Sequence, residues 1–150
     1  MLWLKYKKMI VKYLFITVLF FNCLLFSQLP CPLVFGTITT PKRSFFNVPD
    51  ETLYTIKSEN QKVVCLSEGI VSNILYHSDN TKTLIIRNND DFYVYSNLDV
   101  ILFKSKDKIE KNQLIGYAIR DKDDEKYVLQ FQFWKKTESI KADLNCAKSY

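Results

Sequence analysis

The sequence predicts an all-β domain, and three observations carry that prediction. From residue 61 onward the apolar stretches are short and β-branched or aromatic: "KVVCL", "IVSNILYH", "KTLIIRN", "DFYVYS", "VILF", "QLIGYAI" and "KYVLQFQFW". The separators "SEG", "SDNT", "NNDD", "KSKDKIEK" and "RDKDDE" are polar, and each is short enough for a hairpin or a tight corner. In "YVLQFQFW", strict alternation places Leu129, Phe131 and Phe133 on one face and Val128, Gln130, Gln132 and Trp134 on the other. The first face reads as core and the second as the polar side of a half-exposed strand.

The elements follow in chain order. Residues 1–28 read as a secretory signal: Lys5, Lys7, Lys8 and Lys12 precede the fourteen-residue run "YLFITVLFFNCLLF", and no acidic residue stands before Asp50. The run falls short of the about 20 residues a spanning helix needs, and "SQLPCP" interrupts it. Cleavage is expected near Ser27 or Gln28. Retention as an amino-terminal membrane anchor is the competing reading, because neither Phe26 nor Gln28 is the small residue a signal peptidase prefers. Residues 29–49 read as an extended arm that wraps a domain edge, and 50–150 as a single domain without repeats. The last separator, "RDKDDE", lacks the glycine and terminal glutamate spacing of a calcium loop and reads as a solvated hairpin.

Removing residues 1–28 takes four of the 21 basic residues and none of the 16 acidic ones, leaving 17 against 16, a net charge of +1. The basic balance therefore belongs to the targeting segment, and no nucleic-acid partner is expected. The remaining stretch, about 122 residues long, can bury roughly two-thirds of its unfolded surface. It keeps three cysteines, Cys31, Cys65 and Cys146, so at least one thiol is unpaired within a monomer. Cys65 lies in an apolar strand and reads as a small buried hydrophobe. Cys31 and Cys146, near opposite ends, can bridge in an oxidising compartment. No pair has the C-x-x-C spacing of a zinc or redox site.

Glycine is scarce: beyond the signal only Gly36, Gly69 and Gly116 occur. Gly69 closes "VVCLSEG" and Gly116 closes "DKIEKNQLIG", each at the exit of a polar turn before a strand, where φ > 0 or a close backbone approach would forbid a side chain. Together with "TLIIRNNDDFYVYSNLDVILFKSKDKIEKNQLIG", these phrases resemble the lysostaphin-like (LytM-type) zinc peptidases of peptidase family M-23. Asp107, Ile109, Lys111, Gln113, Ile115 and Gly116 follow the order and spacing of the family segment "I-x-V-K-x-G-D-x-V-x-K-G-Q-x-I-G", and "VLQFQFW" lands where its "H-L-H-F-E-I" strand belongs. The likeness covers about residues 50 to 145. It implies an antiparallel, barrel-sandwich-hybrid-like β domain of the cell envelope. A biotinyl or lipoyl carrier domain is the alternative fold, but no "M-K-M"-like hairpin is present.

The resemblance also implies where chemistry would sit. Family members hold zinc with a histidine, an aspartate four residues on, and the second histidine of "H-L-H". The histidine of "Y-x-H-L" and the first of "H-L-H" act on water or the oxyanion. Counting back from Gly69 puts the first pair at Asp50 and Tyr54; Asn97 stands for the "Y-x-H-L" histidine, and Val128 and Gln130 for those of "H-L-H". Elementary coordination chemistry agrees, since a catalytic zinc needs three protein ligands, commonly imidazoles, while amide oxygens suit harder cations. The chain has one histidine, His77, which reads as a surface residue at a hairpin. No nucleophile–histidine pair or carboxylate pair stands out either.

The expectation is therefore a secreted or periplasmic pseudoenzyme with no catalytic residues, no metal and no cofactor. Its candidate ligand cleft is Asn97, Gln130, Gln132 and Trp134, with Tyr95 nearby. Peptidoglycan peptide or an envelope protein is the expected partner, and regulation of a wall hydrolase a further role. The alternative function is a residual metalloendopeptidase acting on peptidoglycan through atypical ligands.

Overall fold

A computed structural model describes residues 28–39 and 51–148. Residues 1–27, 40–50 and 149–150 lie outside the described residues, and with them nearly all of the signal segment and Asp50. Within them the chain forms thirteen strands: β1 (Leu29–Pro30), β2 (Thr37–Thr39), β3 (Tyr54–Ser58), β4 (Lys62–Val64), β5 (Gly69–Tyr76), β6 (Lys82–Asn88), β7 (Asp91–Ile101), β8 (Lys108–Ile109), β9 (Leu114–Arg120), β10 (Tyr127–Lys135), β11 (Glu138–Ile140), β12 (Leu144–Asn145) and β13 (Ala147–Lys148). An eleven-stranded sheet runs β13-β2-β3-β10-β9-β7-β6-β5-β8, with β4 added on β9, β11 on β10, and a further β10–β7 pairing; β1 and β12 form a separate parallel pair. The sheet is antiparallel except where β13 joins β2.

Alternation sets the core. Leu129 and Phe131 of β10 are fully buried against Ile56, Leu84, Ile86, Tyr95 and Leu98, and Phe133 packs at the margin of the same cluster. The Tyr95 and Phe131 rings stand 5.3 Å apart and tilted, as do Tyr93 and Phe133 at 5.1 Å, a geometry aromatic quadrupoles favour. The "VILF" stretch is not a separate strand but largely the continuation of β7, which passes through Asn97 with a shift of register on both neighbours. The "KSKDKIEK" separator contains the short β8, which pairs with the start of β5.

Gly116 does not end a turn: it is buried inside β9, paired with Val63 on one side and Ile101 on the other. A Cβ there would meet the carbonyl oxygen of Val100, and one on Gly69 would lie 2.6 Å from that of Arg87. No glycine has positive φ. Close backbone approach is thus the reason for both residues.

The two ends of the described chain are fastened together. Leu29 and Pro30 pair with Leu144 and Asn145, Thr37 and Ile38 pair with Ala147 and Lys148, and Cys31 is disulfide-bonded to Cys146. Cys65 is a free, buried thiol that donates to the Ser67 carbonyl, and burial pushes its pKa up.

Candidate functional site

The second face of β10 organises the site. Cross-strand register places Gln130 between Thr55 of β3 and Ser96 of β7, Gln132 opposite Val94, and Trp134 between Phe92 and Ser139. One strand further, Val94 faces Ile85 and Phe92 faces Arg87 on β6. Because alternate residues share a face, the surface divides into two halves. Thr39, Thr55, Gln130, Ser96 and Thr83 make a hydroxyl and amide row; Ile85, Val94, Phe92 and Trp134 make an apolar and aromatic half.

The polar half is linked internally. Thr83 Oγ1 donates to Ser96 Oγ at 2.9 Å, and His77 Nε2 lies 2.9 Å from Thr83 Oγ1. His77 ends the hairpin as an exposed residue, as its sequence context implies, yet its ring is tied to this face. Beside Gln130's row, Lys57 donates to Asp121 at 2.8 Å and Asp124 at 2.7 Å. These hydrogen bonds raise the lysine pKa and lower those of both carboxyls.

The positions singled out by the resemblance separate. Asn97 lies in β7 with a left-handed backbone, φ 63°, a conformation Asn tolerates better than most residues. Gln130 is half-buried in the row just described. Val128 shares its face but is buried, between Lys57 and Ile119 in register. Tyr54 pairs with Phe131, which puts it on the core face, and its hydroxyl donates to the Ala142 carbonyl. Tyr95, expected beside the cleft, is fully buried on that same core face, where its hydroxyl accepts from the Leu66 N–H at 3.0 Å. It cannot supply ligand contact.

An open groove of about 530 Å³ lies over the apolar half, lined by Ile85, Phe92, Val94, Gln132, Trp134, Lys136 and Thr137. Gln132 and Trp134 of the expected cleft line it; Asn97 and Gln130 do not. Sequence reasoning missed Thr83, Ser96, Phe92 and Val94, whose alternation pointed to this face but whose cross-strand neighbours depend on register. The bulge that shifts β6 against β7 between Lys82 and Leu84 is invisible in the residue pattern.

The model for Peptidase family M23 matches residues 52–142. The chain belongs to this family. A zinc site is what the family implies, and the described residues do not fit one: of the positions that the resemblance gives to ligands, Tyr54 is turned to the core and Gln130 offers a neutral amide, while Asn97 and Val128, in the places of the catalytic histidines, offer an amide and a hydrocarbon. Among the described residues no group of three or more His, Cys, Asp or Glu is placed to hold a metal ion. Its catalytic and metal site is degenerate.

Solved structures give the same fold. The domain is similar to a zinc-containing peptidase from Vibrio cholerae (TM-score 0.58, 22% identity, 73% of this chain and 37% of that one). It is also similar to lysostaphin (0.54, 14%, 75% and 49%) and to a chain of the SpoIIQ–SpoIIIAH pore-forming complex (0.59, 14%, 75% and 87%). The chain thus spans half or less of the Vibrio and lysostaphin chains. No curated protein matches it in sequence.

Proposed function

We propose that this chain is a non-enzymatic family member of the cell envelope, which binds cell-wall peptide or an envelope protein on the open face of its sheet and thereby regulates a wall hydrolase. The observation that carries the reading is a combination: among the described residues no set of side chains is placed to hold a metal ion, while the sheet face that bears Gln130 stays open and groove-bearing. A chain that had lost all use for the face would be free to cover it with apolar packing, as Val128 is covered at one end. The row through Gln130, Ser96 and Thr83 offers donors and acceptors suited to a peptide backbone, and the groove offers contact area.

Several finer features belong to the same reading. Residues 1–28 act as an export signal, with retention as a membrane anchor as the alternative. Residues 29–49 form an arm, and 50–150 form the degenerate domain, in the barrel-sandwich-hybrid form of the family. The disulfide between Cys31 and Cys146 supports export, because such bonds persist in oxidising compartments. One structural neighbour, a chain of a pore-forming complex, supports a role for this fold in assembly rather than cleavage.

Binding of purified muropeptides, followed by calorimetry, tests the proposal. Wild-type protein should bind them, and Gln130→Leu combined with Gln132→Leu, which keeps volume but removes donors and acceptors, should weaken binding. Equal binding by that variant, or none by wild type, contradicts a ligand role for the amide side of this face.

A further inference from the structure

The groove itself points to a narrower ligand chemistry, and this step rests on the reading that the open face binds a ligand. Its floor, Ile85, Val94, Phe92 and Trp134, is apolar and aromatic. The charges around it are segregated by strand parity. Arg87 is directly opposite Phe92 and therefore shares the groove's face, and Lys136 lines the groove from the turn after β10. Of the acidic residues of this end, Asp91 and Glu138 pair in register with Lys135 and so belong to the opposite face, while Asp90 stands in the β6–β7 turn with its carbonyl on the Lys136 N–H. Among the described residues neither Arg87 nor Lys136 makes an ion pair, whereas Lys57 at the far end of the same face is held by two carboxylates.

We propose that this groove takes an acidic, apolar peptide segment, with a bulky aliphatic or aromatic side chain on the Phe92–Trp134 floor and carboxylate side chains at Arg87 and Lys136. Two cations on different elements suit spaced acidic side chains better than one terminal carboxylate. A terminal carboxylate is captured by clustered backbone N–H groups, and the Lys136 N–H is already spent on the Asp90 carbonyl at 2.7 Å. The unpaired cations supply attraction and register, and the floor supplies the desolvated contact. The peptide therefore sits at the Trp134 end, displaced from Asn97, Val128 and Gln130, the positions where the resemblance puts the family's histidines.

The test uses the full chain in a mild non-ionic detergent with Trp3→Phe, which leaves Trp134 as the one indole. The probe is an acetylated and amidated heptapeptide, Glu-Ser-Leu-Ser-Leu-Ser-Glu, whose extended form presents Glu, Leu, Leu and Glu on one side. Trp134 emission should shift saturably as the peptide is added, and the affinity should fall as salt rises. Replacing both glutamates of the peptide by glutamine, or both leucines by serine, should weaken binding about tenfold or more. So should the paired change Arg87→Glu with Lys136→Glu in a protein whose thermal midpoint is unchanged. No saturable shift, or equal affinity for the glutamine peptide, overturns the proposal. Muropeptides run in parallel keep the two readings apart: muropeptide binding that ignores Arg87 and Lys136, with no heptapeptide binding, removes this inference and leaves the broader one standing. Heptapeptide binding with the stated losses, and no muropeptide binding, keeps this inference and removes only cell-wall peptide as the ligand of the open face.

Discussion

A Cβ on Gly116 would press on the Val100 carbonyl inside the β7–β9 ladder, and a backbone oxygen in a sheet cannot swing aside as a side chain can. Gly116→Ala should therefore cost about 1–3 kcal/mol and Gly116→Val more, read as a lower urea midpoint at unchanged slope. An unchanged midpoint would show that the ladder yields. Asn97 makes the opposite case, because its constraint is conformational: at φ 63°, Asn97→Gly should be within about 0.5 kcal/mol of wild type and Asn97→Val should lose about 1–2 kcal/mol. Equal losses for the two variants would contradict this. The sequence singled out Gly69 and Gly116 but left open whether φ or proximity required them. The left-handed positions fall instead to Phe35, Asn80, Asn89, Asn97, Lys106, Asn112, Glu125 and Lys136. Four are Asn, a legible turn signal; a left-handed Phe, Glu or Lys carries no such mark.

Among the elements, the β9–β10 hairpin is held to β3 by Lys57, and the pH dependence of that clamp has a definite sign. Asp121 and Asp124 have lowered pKa values because Lys57 donates to them. Their contribution is full above the unfolded carboxylate value of about 4 and is lost as pH falls through the still lower folded values. Lys57 is shifted up by the same bonds, so its contribution is present below about 10.5 and lost as pH rises beyond that. Lys57→Met should accordingly narrow the drop in thermal midpoint between neutral pH and pH 2–3. A drop as large as in wild type would mean that the clamp contributes nothing. Strands β4 to β7, β9 and β10 were legible because each lies in a short apolar run between polar separators. The short strands β1, β2, β8, β11, β12 and β13 carry two or three residues each, too few for alternation to show. Register was the other hidden quantity, and with it the neighbours that turn one strand's polar side into a two-part face.

For the molecule as a whole, the Cys31–Cys146 bond spans 115 positions and fastens the strands that close the chain's ends. Closing so long a loop should stabilise the fold by up to about 5 kcal/mol. Reduction, or Cys31→Ser with Cys146→Ser, should lower the denaturation midpoint, while native Cys65 should resist alkylation until unfolding exposes it. An unmoved midpoint would show that strand pairing alone holds the ends. The family and the loss of its histidines were readable from the spacing around Gly69 and Gly116 and from a single histidine in 150 residues. The groove was not, because Phe92, Val94 and Ile85 meet Trp134 only once β6, β7 and β10 are in register. The family fold thus persists here with a degenerate metal site. Elemental analysis of the purified protein after dialysis against zinc-containing buffer, paired with a peptidoglycan hydrolysis assay, tests it most directly. Zinc well below one equivalent and no cleavage of wall peptide are expected; one tightly held zinc per chain, with hydrolysis that a chelator abolishes, would show that the metal chemistry survives.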